Sequence, residues 1–170
     1  MKLDWLRHLG AWLAWNLRPQ PLLPESPAEA EARELLTQAT SALALGRSGE
    51  AEADARSVMA MYISAGPGGE PYQSAWMILV LALAQSGRHP DAVEELTKFI
   101  GMVSTVRGRK SFMVARLQVI RAGQLSYLGR FNEAEADCRA AIKRCRKLSP
   151  NGAANRLRFA AVNNLLVVLN

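Results

Sequence analysis

Histidine and cysteine are nearly absent from this 170-residue chain, which has two of each. His8 and His89 stand far apart, so no cluster has metal-ligand spacing and no imidazole sits beside a serine or cysteine to serve as its base. Cys138 and Cys145 lie seven residues apart on one predicted helix. That separates them by about 10 Å along the axis, too far for a disulfide with each other. They read as small packing residues of a reducing compartment. No apolar run reaches the roughly 18 residues that span a bilayer. Asp4, Arg7 and His8 interrupt the start, where a secretory signal needs an apolar core. The glycine-rich loop at 66–69 has neither the lysine nor the spacing of a phosphate cradle. Paired acids such as Glu94 and Glu95, or Glu133, Glu135 and Asp137, fall in helix starts and read as dipole partners and solvated faces. No catalytic residue, metal or cofactor is therefore expected.

What the chain has is alanine, leucine and charge. Hydrophobic residues make up 49% of it, a composition that favours a single all-helical domain large enough to bury a core. The net charge of +6 hides an asymmetry: residues 1–18 carry +2, residues 19–97 carry −7, and residues 98–170 carry +11. Arg107, Arg109, Lys110, Arg139, Lys143, Arg144 and Lys147 form a candidate basic patch in the last region. Such a patch steers a nucleic acid or an acidic partner; the plainer alternative is a set of solvated helix faces. The region's few aromatics, Phe112, Tyr127, Phe131 and Phe159, offer little base stacking, so nucleic-acid binding here would be weakly specific and salt-sensitive.

One six-residue pattern occurs three times, as Gly46-Arg47-Ser48-Gly49-Glu50-Ala51, Gly87-Arg88-His89-Pro90-Asp91-Ala92 and Gly129-Arg130-Phe131-Asn132-Glu133-Ala134. The copies start 41 and 42 residues apart. The glycine suits the left-handed position that ends a helix. The acid then meets the positive end of the next helix dipole, and the small alanine permits a close crossing. Pro90 suits a first helical turn, and Asn132 with Glu135 has capping-box spacing. A fixed period of this length predicts stacked antiparallel helix pairs, each burying its apolar face on its neighbours.

The turns resemble those of the tetratricopeptide repeat (TPR) family. Trp76 and Leu79, eleven and eight residues before Gly87, match that family's first-helix positions, and Ala39 and Ala122 match its small position, which Val80 fills in the middle repeat. The 41–42-residue period is similar to the longer variety of kinesin light chains and bacterial regulators, as is Val162-Asn163-Asn164-Leu165-Leu166. The resemblance spans roughly residues 27–170. It implies an all-α, right-handed solenoid of about three repeats with extra helices at the N- and C-terminal ends. It also implies a concave groove lined by first helices, at Arg33, Leu36, Thr40, Leu43, Ser74, Met77, Leu81, Gln85, Arg116, Val119, Gly123, Ser126, Tyr127 and Asn164. Only Arg116 and Asn164 match the family's carboxylate clamp, and the largely apolar remainder suits an amphipathic helix from a protein or peptide partner.

In chain order, residues 2–18 read as an amphipathic helix with Trp5, Leu9, Trp12 and Leu13 on its apolar arc, and three of the four tryptophans lie in it. It is expected to dock, as a cap on its own array, in a second copy or partner, or on a membrane surface. A proline-rich linker, 19–25, follows. Ser26-Pro27-Ala28-Glu29 then opens the repeat domain at 26–170 as a capping box with proline at the first helical position. Helices are predicted near 27–45, 49–64, 71–86, 90–106, 110–128, 131–148 and 153–169. The last covers the third pair, as a cap or as the edge of a longer array. The expected function is a non-catalytic, cytoplasmic protein-interaction module.

Overall fold

The computed structural model describes residues 26–62, 69–107, 111–146 and 152–169. The Trp-rich segment predicted as a helix, residues 1–18 with Trp5, Leu9, Trp12 and Leu13, and the linker 19–25 lie outside these residues, as do Arg109, Lys110, Lys147 and the Arg107 side chain. Seven helices make up the described chain: α1 (Pro27–Ala44), α2 (Ser48–Met61), α3 (Glu70–Gln85), α4 (His89–Arg107), α5 (Phe112–Tyr127), α6 (Phe131–Cys145) and α7 (Gly152–Leu169). They match the helices predicted from the caps and the repeated turn to within three residues at each end.

Local chemistry sets these boundaries. Ser26 caps α1: its Oγ accepts from Glu29 N at 3.3 Å, while Ser26 N donates to Glu29 Oε2 at 2.8 Å. Two of the four donors that any helix start leaves open are thereby satisfied. The three repeated turns are alike. Gly46, Gly87 and Gly129 take φ of 75°, 78° and 70°, the only positive values among the described residues. The following arginine N donates back five residues, Arg47 to Ala42 O (2.8 Å), Arg88 to Leu83 O (2.8 Å) and Arg130 to Leu125 O (2.9 Å). This closes the helix end as a Schellman motif. The arginine side chain then reaches forward to the acid, Arg47 to Glu50 at 2.8 Å, Arg88 to Asp91 at 2.7 Å and Arg130 to Glu133 at 2.7 Å. The conserved spacing within the pattern thus pairs both charged residues of each turn. Asn132 does not cap α6: Arg130 takes the cap position, without a side-chain bond, and Asn132 is already the second helical residue. The tight turn brings the chain into helical geometry two residues too early for it.

A Cβ placed on Gly87 meets nothing within 4 Å, so replacing it carries only the backbone cost of a left-handed alanine. Gly87→Ala is expected to lower stability by about 1–2 kcal/mol. Gly101→Ala, in open space within α4, should raise it by about 0.5–1 kcal/mol. Equilibrium urea unfolding of the two variants checks the pair of opposite signs.

Each helix packs on the next, and α1 also touches α3 as α5 touches α7. The small residues at the repeated positions are inside the fold: Ala39, Ala51, Ala92, Ala122 and Ala134 are fully buried. The main core joins α1 through α4 with Val114 and Leu117 of α5. Its centre is aromatic: Trp76 stacks on Phe99 at 4.5 Å between ring centroids, and Tyr72 meets the Trp76 ring edge-on at 5.4 Å. Two smaller clusters continue through α5, α6 and α7.

Asp137 differs from its expected place on a solvated face. It is 5% exposed and receives a two-pronged bond from Arg121, Nε to Oδ2 at 2.7 Å and Nη2 to Oδ1 at 2.8 Å. Arg121 also donates to Thr97 Oγ1 at 3.0 Å, and Arg144 donates to Gln118 Oε1 at 2.8 Å. Polar side chains therefore lock α4, α5 and α6 together. Both cysteines are unpaired and buried. Burial pushes the Cys138 thiol up to about 11, with the Asp137 charge adding, and raises Cys145 as well. A thiol reagent at pH 8 should modify neither cysteine before denaturant is added, a result that absorbance titration reads directly.

Candidate functional site

The positions assigned to the groove fall into two groups. Leu36, Ser74, Met77, Leu81 and Val119 are 1–7% exposed. Arg116 stands among them in sequence register, half-buried, and burial lowers its pKa to about 10, which leaves it charged at neutral pH. Around this centre, Arg33, Gln85 and Tyr127 are exposed, and Thr40, Leu43, Gly123, Ser126 and Asn164 are half-buried. A Cβ on Gly123 would meet nothing within 4 Å. The assigned positions thus form an apolar, buried middle with a more polar and open surround.

Several of them spend their polar groups within the fold. Gln85 Nε2 donates to Leu43 O at 3.2 Å, and its Oε1 accepts from Ser48 Oγ at 2.9 Å, tying the end of α3 to α1 and α2. Asn164 Nδ2 donates to Val119 O at 3.1 Å, fixing α7 against α5. Thr40 Oγ1 donates to Leu36 O at 2.7 Å on its own helix. Tyr127 stacks on His89 at 4.7 Å, and His89 Nδ1 lies 2.8 Å from Gln124 Oε1. Register alone marks these side chains as groove-facing; it carries no signal of the partners of Gln85, Tyr127 and Asn164, which sit on other helices.

α3 is the unusual element. All thirteen residues from Tyr72 to Ala84 are buried. Apart from the Trp76 indole N–H, the run Ala75–Ala84 carries no hydrogen-bonding side chain, so nearly three turns offer no face suited to water. At 100° per residue, Gln73, Ser74, Met77, Leu81 and Ala84 share one arc, and Ala75, Leu79 and Ala82 lie opposite.

A second surface lies on α7. Phe159, Val162, Leu166 and Leu169, at spacings of three and four, are 39–68% exposed, and Val167 lies beside them. The sequence assigns this helix as a cap or as the edge of a longer array and does not single out its outer face.

The basic patch is present only in part among the described residues. Lys143 is exposed on α6; Arg139 is exposed and paired with Glu135; Arg144 is half-buried against Gln118. Arg146, Arg156 and Arg158, which the candidate patch omitted, are exposed nearby in sequence. An open hollow of about 500 Å³ between α1 and α2 carries Thr37, Ser41, Glu50 and Asp54 at its wall. Among the described residues, no three His, Cys, Asp or Glu side chains cluster as a metal site would need, and no helix is long and apolar enough to cross a membrane. No family model and no curated protein matches the chain.

Proposed function

We propose that this chain is a non-catalytic protein-interaction module of the cytoplasm, a right-handed solenoid of TPR-like helix pairs that holds an amphipathic helix in its groove. In that arrangement α1, α3, α5 and α7 form the inner layer, and α2, α4 and α6 the outer one. The observation that carries the reading is the apolar middle of the inner layer, where Leu36, Met77, Leu81 and Val119 come from three different helices. Such a floor, with more polar positions around it, fits one apolar helix face. Gly123 is the position for the test because a Cβ there would meet nothing within 4 Å. Gly123→Leu should fill the groove end, hold or raise the melting temperature, and abolish capture of helical partners from lysate at moderate salt. Capture that is unchanged by this substitution sinks the groove reading.

A second reading has its own observation. From Cys138 to Asn170 the chain has seven basic residues and no acidic one. Binding of nucleic acid or an acidic protein to this end would fall steeply with salt. A flat filter-binding curve with mixed-sequence DNA and RNA at low salt disposes of the nucleic-acid form.

A further inference from the structure

The apolar stripe of α7 is a helix face that lacks the neighbour its counterparts have. Each earlier odd-numbered helix packs on the one that follows it, α1 on α2, α3 on α4 and α5 on α6. Among the described residues, α7 packs on α6 and α5, and no helix follows it. The repeat shows which face this leaves open. Trp76, Leu79 and Leu83 stand eleven, eight and four residues before Gly87 and are 0–4% exposed. Trp76 stacks on Phe99 of α4. Gln118, Arg121 and Leu125 hold the same places before Gly129, and Asp137 of α6 accepts from the first two. Phe159, Val162 and Leu166 hold them before Asn170, an aromatic and two aliphatic residues as on α3, yet 39–68% exposed. The face that α3 and α5 turn to the next helix is therefore the face that α7 turns to water.

We infer that an amphipathic helix of a partner protein, apolar on one face and acidic beside it, docks along α7 and completes a fourth helix pair. The stripe sets the apolar face, because Phe159, Val162 and Leu166 are exposed together rather than singly. Charge sets the flank. At about 100° per residue, Arg156 and Arg158 lie on either side of the stripe, and both are exposed. From Cys138 to Asn170 the chain has seven basic residues and no acidic one, so this end repels a basic helix and draws an acidic one. The chain's own following helices have that character: α2, α4 and α6 each place three acids in their first seven residues. A second copy fits less well. Its α7 brings the same seven basic residues to the contact. Its acidic first pair, α1 and α2 with their turn, exposes one large hydrophobic residue among those described, Leu45. The inference is separate from the groove; it gives the acidic-protein form of the second reading a surface, and rests on that reading for the partner's charge.

The test uses a fluorescent peptide of residues 89–106, the segment that covers Trp76 in the fold, with Glu94 and Lys98 joined as a lactam. Those two side chains already pair at 2.7 Å, so the bridge holds the helical form. In fluorescence anisotropy the full chain is expected to bind this peptide saturably, and an Asp91→Asn, Glu95→Gln version more weakly. Val162→Lys with Leu166→Lys, both at exposed positions, should keep the circular-dichroism melting curve and weaken binding by about tenfold or more. Phe159→Lys alone should act in the same direction. No saturable binding, equal affinity for the two peptides, or binding that survives the lysine substitutions overturns the inference. So does a dimer in analytical ultracentrifugation that those substitutions dissolve, which would place a second copy on the stripe. Salt-sensitive binding of an acidic protein that the lysine substitutions leave unchanged would keep the second reading and overturn this one.

Discussion

Replacing Asp137 with alanine is expected to lower stability by about 3 kcal/mol, a large share of the 5–15 kcal/mol typical of a whole domain. The carboxylate is 5% exposed and takes both prongs of Arg121 as well as a longer bond from Gln118 Nε2 at 3.4 Å. Its removal leaves a guanidinium whose side chain is only 21% exposed facing the place where its counter-charge stood. The loss falls on the junction of α4, α5 and α6, because the same guanidinium bonds Thr97 on α4. Arg139→Ala, one helical face away and paired with Glu135 at the surface, should change stability by at most about 0.5 kcal/mol. Urea denaturation of both variants provides the contrast. Equal effects would mean that burial, rather than charge pairing as such, has been misassigned to Asp137.

Phe99→Ala should cost about as much or more, on the order of 3–5 kcal/mol. Phe99 is 1% exposed on α4 and stacks flat on Trp76 of α3, with 4° between the ring planes. Truncation removes a whole ring from the joint of the central helix pair, and Tyr72 already occupies the Trp76 edge, so the cavity has little room to collapse. Trp76→Phe should be milder, about 1 kcal/mol or less, although it also removes core volume. The Trp76 Nε1 is buried without a hydrogen-bond partner among the described residues, and losing an unsatisfied donor offsets part of the lost packing. A double-mutant cycle over the two positions should return a coupling of about 0.5–1.5 kcal/mol. A coupling near zero would show that the rings do not stack in solution.

The repeated turn is the clearest case of legible structure. Gly46, Gly87 and Gly129 were recognisable because the left-handed position at a helix end is steep in its preference and strictly local. The same holds for Ser26 and Glu29, three residues apart and bonded to each other. Asn132 shows the limit: its spacing to Glu135 fitted a capping box, but the preceding Schellman turn had already started the helix at Phe131. The candidate site was legible in its register and not in its state. Counting from each glycine picks out Met77 and Leu81, but gives no sign that they are 1% and 4% exposed.

The sequence by itself determined the seven described helices to within three residues at each end, that they recur at one period, and that charge divides between the two halves. Those properties depend on residues within a turn or two of each other, where backbone geometry and helix dipoles act directly. Only the tertiary structure decided that Asp137 is a buried anchor, that Gln85 and Asn164 bind backbone carbonyls of other helices, and that α7 shows an apolar stripe outward. These outcomes depend on contacts such as Arg121 with Asp137, 16 residues apart, and Asn164 with Val119, 45 apart. Which side chains meet at such separations is set by how the helices cross, and the helical period fixes the face a residue occupies without fixing what packs against it.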